Sequence, residues 1–425
     1  MHATRWVGIS LAGVLVAAPL TACSQRGADT GGSQATGACK GQDTTGITKS
    51  SIKLGGTYPL SGPASAYGEI PKGIKAYFDY LNKEKGGVDG RKIDFVVRDD
   101  GYQPPKAVEE ARRLVEQEKV FALFQTLGTP SSTAVETYAN QQKVPQIFVA
   151  TGASKWGTQS KKYPWTIGWQ PSYVAESRIY AKYLKDNKPN AKVAVLYQND
   201  DYGEDYLNGF VDAIKGSNVK IVAKQSYQVT DPTVAPQMSK LAQSKADVFF
   251  NVTTPKFASQ ALAADAKNTS WNPLHLVNSV SNSNTVLKPV GFDNVQGVVS
   301  VTYFKDPADP QWDNDPAMKL YKQKLKQYQP GADPNDQFHA FGWTVAESMV
   351  KTLQSMKCPT REGLRDAMHN INNQHVDMLL PGITVNTGDG DGFPIESMQL
   401  IRFKGKRWHL FGKVVDTRKE FGPVK

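Results

Sequence analysis

The sequence predicts an α/β protein built as two doubly wound lobes, each a parallel sheet with helices on both faces. From about residue 50 the pattern alternates between strand and helix, and the alternation starts again after residue 170. The segment 303–380 is mostly helical and is followed by a hairpin pattern, so it does not repeat the earlier units. We expect this last part to return and complete both lobes, with several chain crossings between them.

The first unit has four strand patterns separated by three helix patterns. Its clearest helix places Ile70, Ile74, Tyr77, Phe78 and Leu81 on one face, which is the spacing of an amphipathic helix. The strands in chain order are "SIKLGGTY", "RKIDFVVRDD", "KVFALF" and "KVPQIFVA", and the other helices are "QPPKAVEEARRLVEQE" and "TPSSTAVETYANQQ".

The second unit repeats this organisation and the chain then ends in a hairpin. The strand patterns are "AKVAVLY", "VKIVAKQ", "ADVFFNV" and "PLHLVN", and "PKFASQALAADAKN" is a helix between the last two. The tail "MQLIRFKGKRWHLFGKVV" predicts two strands that turn around "KGKR".

Length and composition fit two globular domains and argue against a nucleic-acid-binding protein. The chain has 425 residues, of which 40% are hydrophobic and 21% charged, enough for two sizeable cores. The formal net charge is +10, but the basic residues are spread along the chain beside acids. Without a basic tract carrying interleaved aromatics, nucleic acid is a poor partner.

The amino terminus reads as an export signal. Residues 7–20 form an apolar run too short to span a bilayer, and "LTAC" follows at residues 20–23. This tetrapeptide resembles the lipobox of bacterial lipoproteins, in which Cys23 becomes the lipid-bearing amino terminus; the alternative is an ordinary signal that happens to contain cysteine. Residues 24–49 are rich in Gly, Ser and Thr and predict a flexible tether.

Two cysteines remain once Cys23 is set aside. An exported protein meets an oxidising environment, so we expect Cys39 and Cys358 to form a disulfide that fastens the start of the body to a late helical segment. The alternative is two independent thiols, because sequence does not determine pairing.

A ligand site is expected where the strands of such sheets end. In an open parallel α/β sheet, ligands bind outside the carboxyl ends of the strands. The loops at these ends consist of small, polar or aromatic residues: "PLSGPASAYG" (59–68), "QTLGTPSST" (125–133), "ATGASKWG" (150–157), "QNDDYG" (198–203), "VTTPKF" (252–257) and "NSVSNSN" (278–284).

One Thr-Pro pair stands at a strand end in each unit. Thr129 and Thr254 each precede a proline, where a helix is expected to begin. Free N–H groups at such a terminus suit a carboxylate. The plainer interpretation is helix capping alone, and the recurrence in both units favours binding.

Aromatic residues occupy two of the same loops. Tyr67 in "SAYG" and Tyr202 in "DDYG" stand in equivalent places and can close over an apolar ligand from both sides. Trp156 offers a further aromatic wall, although packing within a lobe is the commoner role of such a residue.

Signatures of catalysis are missing from the sequence. It has no G-x-S-x-G, P-loop, H-E-x-x-H or C-x-x-C motif, and its six His are not at metal-ligand spacing. We therefore predict a protein that is not an enzyme, with no metal and no cofactor.

Several sequence blocks together resemble a known family. The blocks "IKLGGTYPLSGPASAYG", "GGVDGRKIDFVVRDD", "VAVLYQNDDYG" and "TDPTVAPQMSKLAQSKADVFF" resemble the type I periplasmic solute-binding proteins of ABC importers, in the branched-chain amino-acid receptor branch. The resemblance implies two lobes joined by three hinge crossings, with the ligand between them. We assign 50–168 plus 303–380 to the first lobe and 169–302 plus 381–425 to the second.

The resemblance also implies which residues line the cleft. By motif position these are Tyr67, Thr129, Ala150, Thr151, Tyr202, Thr253 or Thr254, and Ser279, to which the loop analysis adds Trp156. The sequence departs from the family where Ser279 replaces the carboxylate that often holds a ligand's ammonium group. Because a buried ammonium without a nearby acid is costly, the ligand is expected to be an organic acid rather than a free amino acid, unless an acid such as Asp200 or Asp201 arrives from another loop.

The function expected from the sequence is that of a receptor. We expect a monomer, anchored by lipid on Cys23 to the outer face of the cytoplasmic membrane, that delivers a small carboxylate-bearing solute to ABC permease and ATPase subunits. The alternative is a ligand-binding sensor of the same fold that acts through a membrane partner, because fold alone does not separate the two.

Overall fold

The computed structural model describes residues 37–388 and 391–425, and these residues form two lobes. Lobe 1 is built on a five-stranded sheet in the order β2-β1-β3-β4-β5, with every pair parallel. Its strands are β1 (Ser51–Tyr58), β2 (Lys92–Asp99), β3 (Ala122–Phe124), β4 (Gln146–Val149) and β5 (Thr166–Gly168). The helices that follow them are α1 (Ile70–Glu84), α2 (Pro104–Arg112), α3 (Thr129–Gln141) and α4 (Lys155–Thr158).

Lobe 2 is built on a seven-stranded sheet in the order β12-β11-β10-β9-β8-β6-β7. Its parallel strands are β6 (Lys192–Gln198), β7 (Lys220–Tyr227), β8 (Val248–Val252), β9 (Leu274–Val277) and β10 (Val299–Thr302). Its helices are α5 (Tyr173–Asn187), α6 (Asp201–Ile214), α7 (Ala235–Gln243), α8 (Pro255–Ala266) and α9 (Asn284–Leu287).

The rest of the chain returns to both lobes. The helices α10 (Pro316–Tyr328) and α11 (Gln337–Gln354) pack on α1 of lobe 1, followed by α12 (Arg361–Met368). The antiparallel strands β11 (Ser397–Lys404) and β12 (Arg407–Asp416) then extend the sheet of lobe 2, and α13 (Thr417–Phe421) lies near the end. The chain thus passes between the lobes after β5, after β10 and before β11. This architecture confirms the predicted α/β fold with two lobes, whereas the residue limits assigned to each lobe stay predictions.

Two glycines allow α11 to lie directly against α1. A Cβ at Gly73 would come within 2.0 Å of the His339 carbonyl oxygen, and one at Gly342 within 2.2 Å of the Ile70 carbonyl oxygen. Nearly every residue of α11 is buried, so this helix is packed against protein on almost all of its sides. Its amino-terminal end is thereby placed at the hinge between the lobes.

The segment from residue 39 is held on lobe 1. Cys39 and Cys358 are joined by a disulfide with an S–S distance of 2.02 Å. Arg361 and Asp43 form an ion pair with a distance of 2.9 Å between Nη1 and Oδ2, and the Ile47 side chain is buried. The tether expected over 24–49 is therefore wrong for residues 39–49, because a disulfide, an ion pair and apolar burial fix that part to the body.

The remaining amino-terminal predictions fall on residues that the structure does not describe. The signal over 1–23, the lipid-bearing Cys23 and the first part of the tether lie outside the described ranges. Within those ranges, no helix combines the length and apolar character needed to cross a membrane.

Candidate ligand-binding cleft

A cavity lies between the lobes, at the carboxyl ends of both sets of parallel strands. It contains about 700 Å³ of space that protein atoms do not fill and it is partly open to solvent. Its wall comes from both lobes and from the hinge: Tyr67, Ile70, Tyr102, Leu127, Gly128, Thr129, Ala150, Gln170, Tyr173, Tyr202, Thr254, Ser279, Val280, Asn282, Val301, Thr302, Tyr303, Phe304, Gln337, Phe338 and Phe341.

The wall is aromatic and carries no formal charge. Among the described residues that line it there are five tyrosines and three phenylalanines, and none is Asp, Glu, Lys, Arg or His. A ligand therefore meets aromatic faces, hydroxyl and amide groups, and backbone. An apolar body with few polar groups is the chemistry that such a surface accepts.

The structure brings six of the nine predicted cleft residues to this wall. They are Tyr67, Thr129, Ala150, Tyr202, Thr254 and Ser279. The other three are buried behind the wall: Thr151, Trp156 and Thr253 do not line the cavity. Their side chains contact neighbouring protein groups instead.

Thr151 and Trp156 support the residue in front of them. The Thr129 Oγ1 and Thr151 Oγ1 atoms are 2.6 Å apart, and the Trp156 indole N–H lies 3.5 Å from Thr151 Oγ1. Trp156 itself packs against Val149 and Ala153. This hydrogen-bonded chain fixes the orientation of the Thr129 hydroxyl at the cavity.

The amino terminus of α3 opens onto the cavity through a glycine. Gly128 is the N-cap residue with φ of 91°, so no side chain caps the first N–H groups of the helix. A Cβ at this position would lie 2.4 Å from Cε2 of Tyr102. Only glycine permits this close contact, and it leaves the positive end of the helix dipole facing the cleft.

The amino terminus of α8 is organised differently. Thr254 is itself the N-cap, and its backbone N–H donates to the Tyr227 hydroxyl at 2.9 Å. Its Oγ1 lies 3.2 Å from the same hydroxyl and donates to Gln198 Oε1 at 3.3 Å. The polar groups of Thr254 are therefore hydrogen-bonded within lobe 2. The Thr253 hydroxyl is also bonded within this lobe, donating to Asn251 Oδ1 at 2.6 Å.

Asp99 shapes the loop that presents Tyr67. Its carboxylate accepts hydrogen bonds from the N–H groups of Leu60, Ser61 and Gly101 and from the Ser61 hydroxyl. Burial alone would raise the pKa of Asp99, but the hydrogen bonds and Lys106 outweigh it and lower the pKa to about 2. Beyond this loop the Tyr67 ring meets Phe338 edge to face, with centroids 5.3 Å apart.

Tyr202 brings an unpaired hydroxyl to the wall. Its ring is 2% exposed, and its Oη has no hydrogen-bond partner among the described residues. The ring is held edge to face by Tyr173 and Tyr206. Burial raises the pKa of Tyr202 well above its usual range, so the group is a neutral donor. A buried hydroxyl without a partner costs about 1–3 kcal/mol, and a ligand can relieve that cost.

A buried acid lies directly behind Ser279. Glu176 accepts hydrogen bonds from the Tyr180 and Tyr206 hydroxyls, both at 2.8 Å. It also accepts from the Ser279 N–H at 2.8 Å and from the Ser279 hydroxyl at 2.6 Å. Burial raises the pKa of Glu176 despite these donors. Both of its oxygens are engaged by protein groups and Glu176 is not part of the cavity wall.

The two acids considered from the sequence do not reach the wall either. Asp200 caps α6, accepting from the N–H groups of Tyr202 and Gly203 at 3.1 and 3.3 Å. Asp201 is exposed on the first turn of the same helix. Neither is among the residues that line the cavity.

Sequence reasoning missed Tyr102 and the hinge aromatics. Tyr102 follows β2, so the strand-end argument applied to "RDDGYQPP" would have found it. Phe338 and Phe341 lie three residues apart on α11, which places them on one face of the helix. That face is turned to the cleft only because α11 packs across the hinge. No metal-binding group of three or more His, Cys, Asp or Glu occurs within residues 37–388 and 391–425.

Comparison with known proteins identifies the family. The family model described as "Periplasmic binding protein" matches residues 51–407. The Leu/Ile/Val-binding protein homolog 7 of Brucella suis biovar 1 (strain 1330) is 29% identical over 205 residues, covering 46% of this chain and 51% of that protein. The chain thus spans about half the length of this relative.

Two solved structures share the fold along most of the chain. The structure of a possible leucine/isoleucine/valine-binding protein from Rhodopirellula baltica SH 1 aligns with a TM-score of 0.76 at 22% identity, covering 87% of this chain and 98% of that one. A fatty acid ABC transporter substrate-binding protein from Thermomonospora curvata aligns with a TM-score of 0.74 at 23% identity, covering 90% and 97%. The chain therefore belongs to the periplasmic binding protein family, whose model matches most of its length.

Proposed function

We propose that this protein is the extracytoplasmic receptor of an ABC importer and that its solute is an organic acid without an ammonium group. The observation that carries the proposal is the uncharged aromatic wall, onto which the uncapped amino terminus of α3 opens beside the Thr129 hydroxyl. The carboxylate would lie at that terminus and the apolar body against the hinge aromatics. Lipid on Cys23 would hold the receptor near the permease and ATPase subunits.

The amino terminus of α3 is suited to a carboxylate. The helix is 13 residues long, and its dipole places a partial positive charge of about half an elementary charge at Gly128. The Thr129 hydroxyl, oriented by Thr151, adds a donor, and the Tyr202 hydroxyl offers another. Backbone N–H groups at a helix terminus are a common site for anions.

The cavity provides no acid for an ammonium group. Taking an ammonium out of water without an acidic partner costs several kcal/mol. Glu176 already accepts four hydrogen bonds from protein donors, so a ligand would have to displace one of them to reach it. We therefore expect carboxylic acids to bind more tightly than the amino acids that share their carbon skeleton.

The structural neighbours support an importer but do not choose between these ligands. One is described as a possible leucine/isoleucine/valine-binding protein and another as a fatty acid ABC transporter substrate-binding protein. Both kinds of ligand carry a carboxylate, and only the first carries an ammonium. The chemistry of the wall is what favours the second.

Matched pairs of ligands test the proposal. Thermal unfolding and calorimetry would compare 4-methylpentanoate with leucine, and 3-phenylpropanoate with phenylalanine, because each pair differs only in the ammonium. An acid at one hundred times its Kd should stabilise the fold by about 2.7 kcal/mol. The control is 4-methylpentanamide, which lacks the carboxylate and should not bind. Micromolar binding of leucine with no binding of the two acids would contradict the proposal.

A further inference from the structure

We propose that Asp205 is a positioning residue that latches the two lobes together without touching the ligand. Asp205 lies on α6 of lobe 2, and its carboxylate faces the loop that precedes α4 of lobe 1. The Ser154 backbone N–H donates to Asp205 Oδ2 at 2.6 Å, and the Ser154 hydroxyl donates to Oδ1 at 3.0 Å. This inference rests on solute binding by lobe closure and is independent of the ligand's chemistry.

The carboxylate of Asp205 serves no role within its own lobe. Asp200, and not Asp205, caps α6. Among the described residues, both hydrogen bonds accepted by Asp205 come from Ser154, and no Lys or Arg side chain forms an ion pair with it. Burial, together with the nearby charges of Asp201 and Glu204, raises the pKa of Asp205. Because both donors to this half-buried carboxylate come from Ser154, its ionised form is stabilised by that residue alone among the described residues.

The latch is separate from the cavity. Neither Ser154 nor Asp205 lines it. When the lobes separate, water replaces Ser154 at the carboxylate, so the two hydrogen bonds exist only in the closed form. For a ligand that binds only the closed form, the apparent Kd equals the intrinsic Kd divided by the fraction of molecules that are closed. Asp205 thus acts on affinity through the closed population.

A second contact between the lobes shows why Asp205 is the better residue to test. Asp336 Oδ2 accepts from the Ser283 hydroxyl at 2.8 Å and from the Thr285 N–H at 2.9 Å. Its other oxygen caps α11 by accepting from the Phe338 N–H. Replacing Asp336 would disturb the helix as well as the closure, whereas replacing Asp205 removes only the contact across the cleft.

The test uses the full chain without ligand. Small-angle X-ray scattering would compare the wild type with Asp205→Ala, with Ser154→Ala, which keeps the N–H donor, and with the control Glu204→Ala. Glu204 is exposed, lies one residue away and has the same charge. We expect a larger radius of gyration for Asp205→Ala, a smaller increase for Ser154→Ala and no change for the control. Amide exchange at Ser154 should speed up about tenfold or more in Asp205→Ala, as expected when one charged hydrogen bond is lost.

Two further measurements separate loss of the contact between the lobes from loss of folding. Unfolding temperature shows whether Asp205→Ala still folds, and Ser154→Ala tests the same contact from lobe 1. An unchanged radius of gyration and unchanged exchange at Ser154 in folded Asp205→Ala would overturn the latch. Because no ligand is present, failure of the carboxylic acids to bind has no effect on this result.

Discussion

The same dipeptide begins α3 in lobe 1 and α8 in lobe 2, yet the two helix ends differ in what they leave free. Thr129 is the first residue of α3 and follows Gly128, which has no side chain to cap the helix. Thr254 is the cap of α8, and its hydroxyl and N–H are bonded to Tyr227 and Gln198. Both threonines reach the cavity wall, but the N–H and hydroxyl of Thr254 already bond to protein groups of lobe 2, whereas the Thr129 hydroxyl meets only Thr151 among the described residues.

The difference shows that neighbouring residues, rather than the Thr-Pro motif, decide which hydrogen-bond donors at a helix terminus are already bonded. In lobe 1 the preceding residue is a glycine with φ of 91° packed under Tyr102. In lobe 2 the preceding residue, Thr253, is bonded within its own sheet. Under the proposed function, lobe 1 would supply the polar anchor for the carboxylate and lobe 2 a wall whose polar groups are already paired.

The largest effect is expected at Gly128. In Gly128→Ala the new Cβ would meet the Tyr102 ring at 2.4 Å, and the residue would keep an unfavourable positive φ. We expect a loss of about 2–5 kcal/mol in unfolding free energy, measured by denaturant titration. The control is Gly68→Ala, also in lobe 1, where the nearest atom to the new Cβ would be 3.5 Å away. Equal stability of the two variants would show that the end of α3 is not specified by this contact.

An intermediate effect is expected when the two threonines are replaced in turn, on ligand affinity for Thr129 and on stability for Thr254. Thr129→Val removes one hydroxyl and keeps the volume, so the Kd for 4-methylpentanoate should rise about 10- to 100-fold, as expected for loss of a hydrogen bond to a charged group. Thr254→Val should instead change the Kd less than threefold and lower stability by about 1 kcal/mol, because its hydroxyl is hydrogen-bonded to Gln198 and Tyr227. Calorimetry and thermal unfolding of both variants measure the two quantities. Similar Kd values for the two variants would remove the distinction between the lobes.

The smallest effect is expected on the pH dependence of stability, through Asp99 in lobe 1 and Asp200 in lobe 2. The folded-state pKa of Asp99 is about 2, below the ordinary 3.8. Its ionised form therefore stabilises the fold above about pH 4, and this contribution is lost as the pH falls towards 2. Asp99→Asn should lower stability by about 1 kcal/mol at pH 7, with a smaller difference at pH 3.

Asp200 provides the matched control in lobe 2. Burial raises the pKa of Asp200, so its charge does not add stability as the pH rises through that pKa. Asparagine caps helices as well as aspartate does. Asp200→Asn keeps the cap but loses the hydrogen bond that Asp200 Oδ2 accepts from Gln198 Nε2 at 2.6 Å, so we expect a loss of at most about 1 kcal/mol that does not grow between pH 3 and pH 7. Thermal unfolding at the two pH values compares the two variants. A larger loss for Asp200→Asn than for Asp99→Asn at pH 7 would contradict this assignment.

The fold was predictable because its signals are local and repeated. Strand and helix patterns alternate twice, and parallel strands with helices on both faces follow from that order. The strand-end rule also placed Tyr67, Thr129, Tyr202 and Thr254 in one region, since parallel strands end at the same edge.

The details of the wall depend on packing that the sequence does not display. Thr151 and Trp156 stand at a strand end like Thr129, but their side chains turn into lobe 1 to support it. Phe338 and Phe341 come from a helix far along the chain and reach the cleft through the packing of α11 on α1. Glu176 lies behind Ser279 although the two residues are 103 positions apart. Contacts of this range follow from tertiary structure rather than from local pattern.

The most direct test is a crystal structure of the complex with the acid that stabilises the protein most. With both lobes closed, we expect the ligand's carboxylate within about 3 Å of Thr129 Oγ1 and of the first N–H groups of α3. Its apolar body should lie against Phe338 and Phe341. A ligand held with its carboxylate at Thr254, or bound outside the space between the lobes, would contradict the account.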